Sequence, residues 1–578
     1  MPTDAPTPLR EASTAPSAYV VLRNAHIITV DGRGSIAQAI AIAAGKILAV
    51  GADADMTKHI VPQTRLLDMK GRTITPGLID GHAHMDREAL RRIFPSLGPV
   101  RSIKDIQDRV AEIARGKKPG EWIVTMPIGD PPFYVGVPDN LAERRWPTRQ
   151  ELDAAAPNNP VYIRPIWGYW RGTFPLVSCA NTAALTRAGI TRDTVAPVPS
   201  VTIEKDGTGD PTGVFFEEEF APLVELIWFR DAASFTAADR LRTLPESAKA
   251  YHSFGTTSIF EGHGVANELL RTYRRAHHAG TLTMRSTLAL SANWAAAGNA
   301  PLGDFVEAWL GWLGEPGLGD DMLKMGGLYV HLGRTEADNA RAAAGPYTGW
   351  AGFNSNHGLP RERVKELLLH CAKNDIRPAC ITGGTGNEML DLYEEVDKEI
   401  PIKDRRWVMS HINVISPRDR DRIVKLGLVL TTQTNNYLYK SLERNAAKLK
   451  PEQYDDIVPL KSLLEAGVTV ALATDNTPIT LWQPVQQTML RRAFGSGRAF
   501  GEGQALSPVE ALRCATANGA YLTFDEKKKG SLEAGKFADL TVLSANPLTI
   551  AADQVAGIAS LMTMVGGKIV HETSGWHG

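Results

Sequence analysis

The sequence predicts an α/β fold, a TIM (β/α)8 barrel carrying a small β-sandwich domain built from both chain ends. Three observations predict it. Short, near-continuous apolar runs recur through the middle of the chain, each leading into a polar loop, as strands buried on both faces do. Amphipathic stretches such as RERVKELLLHCAKN from Arg361 and RDRDRIVKLG from Arg418 lie between them and read as crossover helices. The two ends mirror each other in alternating, glycine-broken strand patterns, which implies one small domain interrupted by a large insert.

The elements follow in order. Residues 1–17 are rich in Pro, Thr and Ala, lack the apolar core of a signal peptide, and read as a flexible tail. YVVLRNAHIITVDG from Tyr19 alternates like a strand pair, AIAIAAGKILAVG places Gly45-Lys46 between two apolar runs, and TRLLDMKGRTITPG adds a pair around Lys70-Gly71. Residues 18–74 therefore read as half of the small β domain. GSLEAGKFADLTVLSANP and SLMTMVGGKIVHE supply its other half within residues 525–578. The barrel occupies residues 75–524. Its strands read as TPGLIDGHAHMD, NPVYIRPIW, GTTSIFEGHG, MGGLYVHLG, RPACITGG, RRWVMSHIN, LGLVLTTQT and GVTVALATDN, first to eighth. The interval around 170–250 exceeds one crossover and is predicted to be an insertion covering the site.

Composition narrows the function classes. With 578 residues, 43% hydrophobic and 22% charged, the chain buries a large core and is not a disordered protein. A formal net charge of -1 without a basic stripe argues against nucleic acid or a membrane surface as partner and leaves a small-molecule substrate. Four cysteines in so long a chain make no disulfide framework, so a reducing cytoplasm is the expected compartment. No apolar run is long enough to span a bilayer. Barrels of this type often self-associate; no stretch here shows it, and a homo-oligomer stays open.

The chemistry-bearing residues fall at the predicted strand ends, where barrel sites sit. His82 and His84 alternate along a strand, so both imidazoles can face one way and suit a zinc-like divalent ion. Glu261 and His263 repeat that spacing and read as groups that reach the metal or orient a ligand. Asp475 follows a near-continuous apolar run. Aromatic residues crowd the site-side loops, with Trp167, Tyr169, Trp170, Phe216 and Trp482 among them, and suggest an apolar or aromatic substrate. Arg164 binds a substrate carboxylate or pairs with a structural acid.

The string TPGLIDGHAHMD resembles the first-strand signature of the amidohydrolase superfamily. GDPTGVFFEEEFAPLVE resembles the TGxxxE segment of its family 3 branch, which includes deformylases of N-substituted formamides, and VYIRPIWGYW with VSCANTAALTRAGI is similar to that branch too. The resemblance runs from about Tyr19 to Val570. It implies a barrel flanked by a small β domain and metal-dependent hydrolysis of a non-peptide amide. It also implies that Asp475 touches the metal and moves the proton, and that His411 is the sixth-strand histidine. The chain departs from the branch at three places. Tyr329 stands where the fourth-strand lysine belongs, with Lys324 five residues earlier. Cys380, Ile381 or Thr382 replaces the fifth-strand histidine, and Tyr169 and Trp170 replace the histidine of a loop. One zinc-like ion is therefore favoured over two, held by His82, His84, Asp475 and either His411 or Glu217. His411 or Tyr329 would stabilise the oxyanion. A superfamily deaminase or decarboxylase, or a degenerate ligand-binding barrel, are the alternative readings.

Overall fold

A computed structural model describes residues 18–576 except 132–133, 166–173, 220, 315–316, 334, 346–347, 355–357, 383–385 and 477. Eight parallel strands form its central sheet. In order they are Leu78–Asp80, Thr256–Val265, Arg285–Leu290, Leu323–Leu332, Pro378–Ile381, Val408–Ser410, Val429–Thr432 and Val470–Leu472. Each pairs with the next. The Gly81 amide donates to the Leu472 carbonyl and the Asp475 amide to the His82 carbonyl, linking first strand to eighth. The result is a nearly closed barrel of the TIM type.

Two strand assignments differ from the sequence reading. Val161–Ile163, expected as the second barrel strand, lies in a separate five-stranded sheet. Thr256–Val265, expected third, is second. The third strand, Arg285–Leu290, went unread because RSTLAL opens on polar residues. Its arginine is buried by a paired hydrogen bond to Asp539, at 2.6 and 3.0 Å, and by stacking on Phe537. The insertion thus falls between the first and second barrel strands, and its sheet begins at Ile123–Thr125, well before residue 170, and runs on to Pro211–Glu217. A short apolar run reads alike in a barrel and in any other buried sheet, which is why the pattern misplaced it.

The barrel interior is narrow. Phe260, Ala289, Ala379, Val408, Val429 and Ala471, one from each of six strands, pack together with Leu522. The outward faces pack on helices through Leu328, Leu367, Val396, Leu430 and Leu472. These helices carry their own start and stop signals. In Pro417–Leu426, Ser416 accepts from the Asp419 amide, proline opens the helix, and Gly427 ends it in the left-handed region. A side chain at Gly427 would collide with the Lys403 carbonyl.

Both chain ends build the remaining β structure. A four-stranded sheet holds Val20–Arg23, Ala39–Ala43, Lys46–Gly51 and Arg65–Asp68. A six-stranded sheet joins Thr73–Pro76 to Leu540–Leu543, followed by Ser560–Val565 and Lys568–Glu572. Val20 and Leu22 of the first share one buried core with Ile27, Ile74, Leu540, Val542 and Met562 of the second. Among the described residues no helix is long and apolar enough to cross a membrane.

Candidate metal centre

His82 and His84 leave the first barrel strand, His263 lies near the end of the second, His411 follows the sixth and Asp475 the eighth. His411 and Asp475 turn at φ of 63° and 53°, a region that side-chain-bearing residues rarely adopt and that recurs at functional sites. One ligand atom from each of His82, His263, His411 and Asp475 lies within 4.8 Å of the others. His82 Nε2 and His84 Nε2 each stand 2.8 Å from His263 Nδ1. His84 Nε2 is 3.1 Å from Asp475 Oδ1. All five side chains are buried. Gly262 makes room for this convergence, because a side chain there would strike the His82 imidazole.

Burial sets the charges. It pushes His84 down to about 3 and His411 to about 4, and drives His82 and His263 well below the ordinary imidazole value. The neighbouring imidazoles and Arg87 add to the effect. The rings are therefore neutral, with lone pairs to give. Burial pushes the Asp475 carboxyl up, but the His84 contact and the nearby imidazoles outweigh it and hold the group below the usual carboxylate range. Three neutral imidazoles and a carboxylate crowded about one point fit a divalent metal. Among the described residues no second such group occurs.

Other residues aim these groups. Glu261 accepts from the Met85 amide (2.9 Å) and the Tyr273 hydroxyl (2.8 Å), and its other oxygen lies 3.6 Å from His84 Nδ1. Burial, with Asp86 close by, pushes the Glu261 carboxyl up. Tyr437 places its hydroxyl 3.1 Å from His411 Nδ1. Phe353 stacks on His263 at 4.9 Å, and Tyr329 meets the same ring edge-on at 5.5 Å. Asp80 accepts from the His82 amide and from the Thr474 amide and hydroxyl, tying the first strand to the eighth beneath the ligands.

The sequence-predicted residues divide accordingly. His82, His84, His411 and Asp475 come together, His263 joins them, and Tyr329 and Glu261 adjoin. Glu217 does not. It sits on the insertion sheet, where its carboxylate accepts from the Leu223 and Val224 amides at 2.5 and 2.9 Å. Arg164 is held by Glu225 in a paired bond at 2.9 and 2.8 Å, with the Phe235 ring 4.9 Å away, so it fills the structural alternative. Phe216 packs within the insertion, and Trp482 is buried with its indole donating to the Phe254 carbonyl. Lys324 pairs with Asp525 and the Thr523 carbonyl near the start of its strand, away from the site end. The positions Trp167, Tyr169 and Trp170 lie outside the described residues. Sequence reasoning passed over Asp80 and Phe353 as site residues, and took Tyr437 only as one of the aromatics on the site-side loops. Asp80 had a signal, since it stands two residues before His82, with only Gly81 between. Phe353 had none, lying in a loop far from any signature strand.

The profile of the amidohydrolase family matches residues 65–571. The N-substituted formamide deformylase of Arthrobacter pascens is 27% identical over 573 residues, covering 96% of this chain and 99% of that protein. An uncharacterized metal-dependent hydrolase from Pyrococcus horikoshii OT3 superposes with a TM-score of 0.67 at 20% identity, over 92% of this chain and 99% of its own. Atrazine chlorohydrolase from Arthrobacter aurescens TC1, solved with zinc, gives 0.51 at 15% identity over 96% and 95%. The structural likenesses show the common barrel, and the profile match spans most of the sequence. The chain belongs to the amidohydrolase family, a metal-dependent hydrolase whose ligand cluster stands where the barrel strands end.

Proposed function

We propose that this protein hydrolyses a carbon–nitrogen bond of a small, non-peptide amide with an apolar or aromatic substituent, using one zinc ion. The observation that carries the reading is the convergence of His82, His263, His411 and Asp475 within 4.8 Å in a buried setting. These four residues would hold the ion, with His84 beside them. When bound, the ion supplies Lewis acidity and lowers the pKa of a water towards about 7.

The chain's own groups do the rest. Asp475, ionised well below neutrality, takes the proton of the attacking water and returns it to the leaving nitrogen. Tyr329, beside His263, donates to the oxygen on which charge develops. Glu261 fixes the ring of His84, and Tyr437 that of His411. The Tyr329, Phe353 and Tyr437 rings around the cluster support an apolar or aromatic substituent. The deformylase named above supports an N-substituted amide. The shared core of the two end sheets supports reading them as a sandwich beside the barrel.

The test combines metal analysis with one substitution. Protein purified without chelator is expected to carry about one ion per chain. Asp475→Asn is expected to lose at least about a thousandfold in kcat on an aromatic formamide. A folded Asp475→Asn protein with its metal and full activity would sink the mechanism.

A further inference from the structure

We propose that Gln433 is a substrate-binding residue that selects amides bearing an N–H, in preference to N,N-disubstituted amides and esters. The inference deepens the proposed hydrolysis of an amide and rests on it.

Gln433 directly follows the seventh barrel strand, Val429–Thr432. Side chains alternate along a strand, so its direction can be read from its neighbours. Val429 belongs to the cluster filling the barrel interior. Thr431 also points inward, donating to the Ser410 hydroxyl at 2.9 Å. Leu430 faces the surrounding helices. Gln433 is the next inward position, one step closer to the site end of the barrel. It stands between the strands that deliver His411 and Asp475. Its carbonyl also starts the turn that carries Tyr437 to His411, accepting from the Asn436 and Tyr437 amides at 3.0 and 3.1 Å.

The side chain is 1% exposed, yet neither Oε1 nor Nε2 has a hydrogen-bond partner. Leaving a buried amide unsatisfied is costly, and such groups are rare away from functional sites. Two polar neighbours spend their hydrogen bonds on each other's elements rather than on Gln433. Thr434 donates to Gln487, and Gln487 to Asn435. Gln433 therefore offers one acceptor and one donor, side by side, to whatever enters beside the metal ligands. The N–H of an amide substrate donates to Oε1, and this is the contact on which the selection turns. An ester or an N,N-disubstituted amide lacks the N–H and leaves Oε1 buried and unsatisfied, which a site built for hydrogen bonding rejects strongly.

The experiment pairs two probes with two variants of the full-length, zinc-loaded protein. The probes are N-benzylformamide and N-benzyl-N-methylformamide, compared by initial rates and by calorimetric binding. Wild type is expected to favour the N–H probe by at least about tenfold in kcat/KM or affinity. Gln433→Met keeps the length and removes both polar atoms, so that preference collapses to within about twofold. Gln433→Glu keeps an acceptor and retains part of the preference. The melting temperature of Gln433→Met is expected to hold or rise, whereas a structural glutamine would lower it. Hydrolysis of both probes without discrimination, or equal losses on both in Gln433→Met, overturns the proposal and leaves the amidase reading standing. Discrimination in binding without turnover of either probe upholds Gln433 and defeats that reading. Failure of wild type to bind or cleave either probe overturns the proposal.

Discussion

At the scale of single residues, burial decides what each acid in this protein can do. Asp475 and Glu217 are both buried carboxylates with opposite fates. Asp475 sits among imidazoles and stays ionised. Glu217 has only backbone amides and is pushed up to about 7, chiefly by burial. Its folded-state value exceeds its unfolded one, so the folded protein holds that proton more tightly. The stability this contributes is fully present below about 4.5 and is lost as pH rises through 7. Glu217→Gln keeps an acceptor for the Leu223 and Val224 amides and never ionises. It is therefore expected to be more stable than wild type at pH 8, by on the order of 2–3 kcal/mol, and closely matched near pH 4. Urea midpoints at the two pH values check this, and an equal difference at both would refute it. Glu217 also shows where sequence reading stops. It was a ligand candidate through its place in a family segment, but reaching a metal depends on which sheet carries a residue, and spacing does not encode that. His82, His84 and Asp475 were legible because each follows a short apolar strand, whose barrel geometry fixes where it points, and His411 through its place in the family resemblance. His263 was half-legible, since its spacing left open whether it reaches the metal or only orients a ligand.

At the scale of elements, the third barrel strand is the instructive failure. Arg285–Leu290 is buried throughout, yet it begins with a charge. The pattern of apolar runs cannot see it, because the partner that makes the charge tolerable, Asp539, lies 254 residues away. That pair is also where the barrel grips the C-terminal strands, since Asp539 accepts from the Gly566 amide as well. Removing one side of a buried pair leaves the other uncompensated, which costs about 3–5 kcal/mol. Arg285→Met is accordingly expected to lower unfolding stability by that amount. Arg285→Met combined with Asp539→Asn is expected to recover part of the loss, because no bare charge then remains buried. Chemical denaturation of the single and double variants measures the coupling. Strictly additive losses would show that the two side chains do not act as a pair.

At the scale of the whole molecule, the ligand cluster is a clasp on the barrel's closure. The seam between the first and eighth strands is short and rests on two backbone hydrogen bonds together with Asp80, which accepts from both sides. Directly above that seam, His82 and Asp475 face each other from the two strands, while His263 and His411 approach from the second and sixth. These four residues span nearly 400 positions of sequence, so they gather only in the folded chain. An ion bound by them binds the native state alone and stabilises it by mass action, by about 2.7 kcal/mol at a free-ion concentration one hundred times the dissociation constant. Chelation is therefore expected to lower the melting temperature of the wild-type protein, and added zinc to restore it. His263→Ala removes one ligand without touching the seam's own hydrogen bonds. Its melting temperature should respond far less to chelator or zinc, even if it starts lower than that of wild type. Should His263→Ala and wild type shift equally on chelation, the stabilising ion would have to sit elsewhere. Should neither shift, the closure of the barrel would rest on Asp80 and the strand pairing alone, and the cluster would serve chemistry without serving the fold.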